Sequence, residues 1–84
     1  MQQRNYMKSV ILILKGKKPE IINVGDALNS INWMLSDDTE VELEIITANV
    51  PSLTGESSFY LVATDIEDLD SRQIRQAVEF LSIN

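Results

Sequence analysis

The densest run of titratable side chains is Asp65-Ile66-Glu67-Asp68-Leu69-Asp70, with four carboxylates in six residues. Closely spaced acidic oxygens are the ligands a hard cation such as calcium takes. A helix–loop–helix calcium site also needs a glycine at its sixth position and a glutamate at its twelfth. Counted from Asp65, those positions hold Asp70 and Gln76. The run is therefore read as acids that cap a following helix and solvate the turn before it. No metal and no cofactor is expected.

Nucleophilic chemistry fares no better. Serines and threonines are present, but the chain has no histidine and no cysteine, which removes the common triads and dyads. It also removes thiolate and imidazole metal ligands and disulfides. A Ser-Lys pair between the lysines of residues 8–18 and a loop serine has nothing in the sequence to bring it together. The three glycines, Gly16, Gly25 and Gly55, form no phosphate-cradling motif. The chain is expected not to be an enzyme.

The length of 84 residues allows one hydrophobic core, so residues 1–84 are taken as a single domain, with the polar residues 1–6 expected to fray. So small a core leaves a thin stability margin, which self-association can widen. No apolar run approaches membrane-spanning length, and no signal-peptide pattern or glycosylation sequon occurs; no membrane association and a cytoplasmic location are expected.

The net charge of −6 hides an asymmetry. Arg4, Lys8, Lys15, Lys17 and Lys18 lie in residues 1–18 with no acid among them, whereas residues 19–84 carry thirteen acids against two arginines. An acidic body repels phosphates, so direct nucleic-acid binding is not expected. The lysines are expected to neutralise glutamates across a sheet.

The elements that would position these groups follow from hydrophobic period. Ser9 to Lys15 reads as a strand, followed by turn chemistry at Gly16 to Pro19. Glu20 to Asn23 is a short second strand or a connecting arm. Val24 to Ser36 reads as a helix capped by Asn23, with Ala27, Leu28, Ile31, Met34 and Leu35 as its apolar stripe. Glu40 to Ala48 alternates cleanly, with Val41, Leu43 and Ile45 on one face and Glu40, Glu42 and Glu44 on the other. Residues 49–57 form a loop, and Ser58 to Thr64 another strand. Asp70 to Leu81 is a helix with a capping box from Asp70 to Gln73 and a hydrophobic staple from Leu69 to Ile74. The expected fold is α+β: a two-layer sandwich of a three- or four-stranded, mainly antiparallel sheet and two helices, in the order β-(β)-α-β-β-α.

Two apolar surfaces then stand out. Trp33 falls outside the stripe of the first helix, where an uncovered aromatic would serve as an anchor for a partner unless the loop containing Pro51 and Leu53, or the polar amino terminus, folds over it. On the sheet, Ile46, Tyr60 and Val62 fall on the face left free by two helices, rimmed by Glu40, Glu42 and Glu44. The sequence thus points to a small acidic protein-interaction module without catalytic activity, binding a protein partner and forming a homodimer through its sheet face. The alternative is an inhibitor of the kind carried by phages and mobile elements. Alternate strand carboxylates repeat every ~6.7 Å, a spacing that mimics nucleic-acid phosphates.

Overall fold

A computed structural model describes residues 6–35, 37–51 and 54–81; most of the segment expected to fray lies outside them, as does Leu53. Five strands and one helix follow in order: β1 Met7–Ile13, β2 Glu20–Gly25, β3 Ser30–Met34, β4 Glu40–Pro51, β5 Ser57–Thr64 and α1 Ser71–Leu81. The sheet order is β2-β1-β5-β4-β3. All neighbours are antiparallel except β1 and β5, which run parallel over Ile11–Ile13 and Val62–Thr64.

This corrects the expected sandwich of two helices on three or four strands. The sheet is mixed and five-stranded, it curls into a half-barrel, and among the described residues it carries a single helix. The segment expected to be the first helix is instead the end of β2, a tight turn and β3. Leu28 N–H donates to the Gly25 carbonyl at 3.0 Å, which closes the turn. Lys8 Nζ clamps the same turn through the Leu28 carbonyl at 2.6 Å.

The turn also explains the curl. β2 and β3 are the two edges of the sheet, and a flat five-stranded sheet would hold its edges about 19 Å apart. A tight four-residue turn cannot reach that far. The sheet bends instead, and the bend falls within β4. Its residues Glu40–Glu44 pair with β3, and Ile45–Pro51 pair with β5. A strand that changes partner midway is the usual way a sheet turns a corner.

Burial on both sides of the sheet follows. On the concave side Val10, Leu12, Leu14, Leu43 and Ala63 are buried, with Ile22, Ile31, Trp33 and Val41 packed against them. On the convex side Ile11, Ile13, Val50 and Val62 are buried against Ile74 and Ala77 of α1. β1 therefore reads as a continuous apolar run because it is buried on both faces. The face expected to stay open, with Tyr60 and Val62, is the convex one that carries α1, and the face expected to lie under two helices, with Val41, Leu43 and Ile45, is the concave one filled by the curl of the sheet itself.

Local chemistry sets the remaining elements. Asp70 Oδ1 accepts from Gln73 N–H at 2.9 Å, and Gln73 Oε1 accepts from Asp70 N–H at 3.0 Å. This reciprocal box starts α1 where the sequence places it. Leu69 and Ile74 both join the convex core, as a staple requires. At the β1–β2 turn, Lys17 N–H donates to the Leu14 carbonyl at 3.1 Å, and Gly16 takes a φ of 76°, the left-handed position of a type II turn.

Candidate functional site

The convex face carries a row of register partners across four strands. Ile21 of β2 pairs with Ile11 of β1, Ile11 with Val62 of β5, and Val62 with Ile46 of β4. The middle two are buried under α1, while Ile21 is 41% and Ile46 43% exposed. The size of the helix accounts for this. Eleven residues make a cylinder about 16 Å long and about 10 Å across, which cannot roof five strands. Apolar surface emerges on both flanks of the helix.

The amino-terminal half of β4, which pairs with β3, holds the acidic row. Glu40, Glu42 and Glu44 are all exposed on the same face of β4 as Ile46. Their cross-strand partners on β3 are Met34, Asn32 and Ser30. Met34 is 55% exposed, and Ser30 Oγ donates to Glu42 Oε2 at 3.2 Å. No lysine is a register partner of these glutamates, which corrects the expectation of neutralisation across the sheet. Lys8 pairs with Val24, and Lys15, Lys17 and Lys18 lie beyond the end of β1 at the β1–β2 turn.

The basic turn lies beside α1. Lys17, Lys18 and Pro19 line one wall of a groove of about 370 Å³ whose other wall includes Gln76 and Phe80 of α1. Phe80 is 57% exposed. Among the described residues no carboxylate lines this groove. Lys15 faces a separate cleft together with Asp65, Glu67 and Asp68.

Each residue singled out from the sequence now has a place. Ile46, Glu40, Glu42 and Glu44 share one surface. Tyr60 is half-buried on the convex side and borders a cleft of about 440 Å³ with Ser9, Ile11, Ile21 and Phe59. Val62 is fully buried beneath α1, so it supports Ile46 rather than presenting itself. Trp33 is not on a helix. It pairs with Val41 in the β3–β4 hairpin and packs half-buried into the concave core.

Ile21, Met34, Lys17, Lys18 and Phe80 were not singled out. A signal existed for Phe80: in α1 it lies six residues after Ile74 and three after Ala77, off the centre of the buried stripe by helical periodicity. The lysines were visible as charge but not as a surface, because nothing local places a turn beside a helix end.

Two of the acids of residues 65–70 have structural tasks. Asp65 Oδ1 accepts from the Lys15 backbone N–H at 2.9 Å, and Asp70 caps α1. Among the described residues no group of three or more acidic side chains is placed to hold a metal. Asp37 has its carboxyl held below the usual range, chiefly by the Thr39 side chain and then by the Thr39 backbone N–H. That group shapes the β3–β4 turn. No helix among the described residues is long and apolar enough to cross a membrane.

No protein family, curated protein or solved structure matches the chain.

Proposed function

We propose that the protein is a non-catalytic interaction module that forms a homodimer through its helix-bearing sheet face. The observation that carries this reading is the Ile21–Ile11–Val62–Ile46 row, buried in its middle and open at both ends. Exposed apolar side chains beside a polar rim are what an interface covers. A domain of this size gains stability from a second copy. A cytoplasmic location belongs to the same reading.

Light scattering coupled to size exclusion tests the reading. Twice the chain mass is expected at high micromolar concentration, and Ile46→Glu is expected to return the protein to monomer. A wild-type chain that stays monomeric there overturns it.

A second reading rests on the glutamate row, whose three carboxylates are exposed and face neutral cross-strand partners. Such a row fits an inhibitor that mimics nucleic acid against a nucleic-acid-processing enzyme. Binding of that kind weakens steeply with salt, and Glu42→Gln with Glu44→Gln would abolish it.

A further inference from the structure

The parallel ladder between β1 and β5 is shorter than either strand. Its register partners run only from the pair Ile11 and Val62 to the pair Ile13 and Thr64. Among the described residues, 7–10 of β1 and 57–61 of β5 have no register partner in each other. On their outer sides β2 pairs with the first stretch and β4 with the second. The cleft of about 440 Å³ lies between these two stretches. Its walls hold Ile11 and Tyr60 of the convex side together with Val10 and Leu61 of the concave side. A depression on one face would be lined from that face, so this cleft is a gap in the sheet itself.

Hydrogen bonds at the neighbouring strands show which way the backbone groups point. The Tyr6 carbonyl accepts from Asp26 N–H at 2.8 Å, on the β2 side. Strand residues alternate in direction, so Met7 and Ser9 turn their backbone groups toward β5. Lys15 N–H, which reaches Asp65 across the same pair of strands, keeps that alternation. Ile45 N–H donates to the Asn29 carbonyl, away from β5. Its partner Ala63 is therefore turned away from β4 and toward β1, and by alternation so are Phe59 and Leu61. Both walls of the gap are strand edges that lack a neighbour.

We infer that this gap receives an extended apolar segment of a partner protein, which pairs with β1 on one side and β5 on the other. Main-chain pairing is how a strand edge takes a peptide, and here two edges act on one segment. Its alternate side chains point to opposite faces. They meet Ile21 and Tyr60 on one face and Phe59, 69% exposed, on the other, so the segment is apolar on both, as a central strand is. The open end of the gap is acidic. Asp26 is bonded to Tyr6 just before β1, and Glu56 precedes β5, both exposed. Lys8, the one lysine of β1, is held at the Leu28 carbonyl. A basic residue beside the apolar run complements those acids. Antiparallel pairing with both walls is the more stable arrangement, and it places the basic residue after the run. The inserted strand lies in the plane of the sheet, so this site goes beyond the dimer and does not require it.

A dye-labelled peptide, Thr-Val-Ile-Val-Lys-Lys with blocked ends, tests this by fluorescence anisotropy. Saturable binding is expected, and none at about 1 mM protein overturns the inference. Methylating alternate backbone nitrogens of the peptide removes its donors and keeps its side chains. Affinity is expected to fall more than about tenfold; equal affinity would mean apolar contact without strand pairing and overturn it. Exchanging the peptide's lysines for glutamates should weaken binding, and raised salt should narrow the difference. On the protein, Phe59→Ser changes an exposed side chain and is expected to weaken binding severalfold, with circular dichroism verifying the fold. Amide exchange followed by NMR locates the peptide without any substitution. Ser9 and Phe59 N–H should become protected, while Val10 and Tyr60, turned to β2 and β4, should not change. Protection confined to β3 or α1 overturns the placement. Ile46→Glu, which tests the dimer, is expected to bind the peptide as the wild type does, so the two readings fail separately.

Discussion

The Asp65 carboxylate accepts a 2.9 Å hydrogen bond from the Lys15 backbone N–H, fifty residues away in sequence. It does so at the end of the parallel pairing of β1 and β5, where Ile13 and Thr64 are the last register partners. Parallel strands need a long connection, so no local turn can hold this pair together. One side chain from the β5–α1 loop closes the end of the ladder instead. Ile66 N–H donates to Thr64 Oγ1 at 3.0 Å and steadies the loop that presents it.

Asp65→Ala is therefore expected to destabilise the fold by about 1 kcal/mol, at the low end for a bond to a charged acceptor because the site is open to water. Asp65→Asn keeps an acceptor oxygen and should recover part of the loss. Urea unfolding of the two variants beside the wild type measures both.

The capping box gives a second expectation. Loss of the Asp70 side chain in Asp70→Ala should cost about 1 kcal/mol. Gln73→Ala should cost less, since it frees only the Asp70 N–H, which is open to water. The two bonds form one motif, so the double variant should lose less than the sum of the single losses. Strict additivity in chemical denaturation would show that the two halves of the box act independently.

Two backbone positions should respond in opposite directions. Asp38 sits at a φ of 65° in the β3–β4 turn, with its N–H bonded to the Leu35 carbonyl at 3.0 Å. A non-glycine residue there carries a left-handed penalty, roughly 1–2 kcal/mol for an ordinary side chain and less for aspartate. Asp38→Gly is expected to stabilise by a few tenths of a kcal/mol up to about 1 kcal/mol. Gly16→Ala should destabilise by about 1 kcal/mol despite open space around the missing Cβ. Melting temperatures should move up for the first and down for the second.

The same turn has a pH dependence of known sign. Asp37 is bonded by Thr39, and its folded pKa lies below the ordinary 3.8. A depressed acid contributes stability that is present above its unfolded pKa and lost as pH falls through its folded value. Stability should thus decline on acidification below about pH 4, and Asp37→Asn should flatten that part of the profile. Equal slopes for the two proteins between neutral pH and strong acid would contradict the assignment.

The sequence shows β1, β4, β5 and α1 clearly because each has one dominant local pattern. For β4 it is alternation, with Leu43 buried and Glu42 and Glu44 exposed. For α1 it is the agreement of cap, box and staple. The stretch from Ala27 to Leu35 carries two patterns at once. Ala27, Leu28, Ile31, Met34 and Leu35 fit a helical stripe, while Ile31, Trp33 and Leu35 fit a strand. What decides is not local: Ile31 pairs with Leu43 and Trp33 with Val41. The hairpin thereby buries an aromatic that the helical pattern leaves outside its stripe. The parallel β1–β5 contact is invisible for the same reason, since 50 residues separate Lys15 from Asp65. The acidic half of the candidate surface, Ile46 with its glutamates, was legible. The groove that Lys17 and Lys18 form with Phe80 was not, because the β1–β2 turn meets α1 only through the fold.

Trp33 provides the last expectation. Its ring packs in the concave core with Ile31, Leu35 and Val41, yet it is not fully buried. Emission should accordingly be shifted to the blue of free tryptophan and only partly quenched by acrylamide. Trp33→Ala should cost roughly 2–3 kcal/mol, below the 3–5 kcal/mol of a fully buried large aromatic. The dimer proposed above uses the convex face, and Trp33 lies on the concave one. Dimerisation should therefore leave both the emission maximum and the quenching unchanged. A blue shift that grows with protein concentration would move the interface to the concave side and assign Trp33 to it.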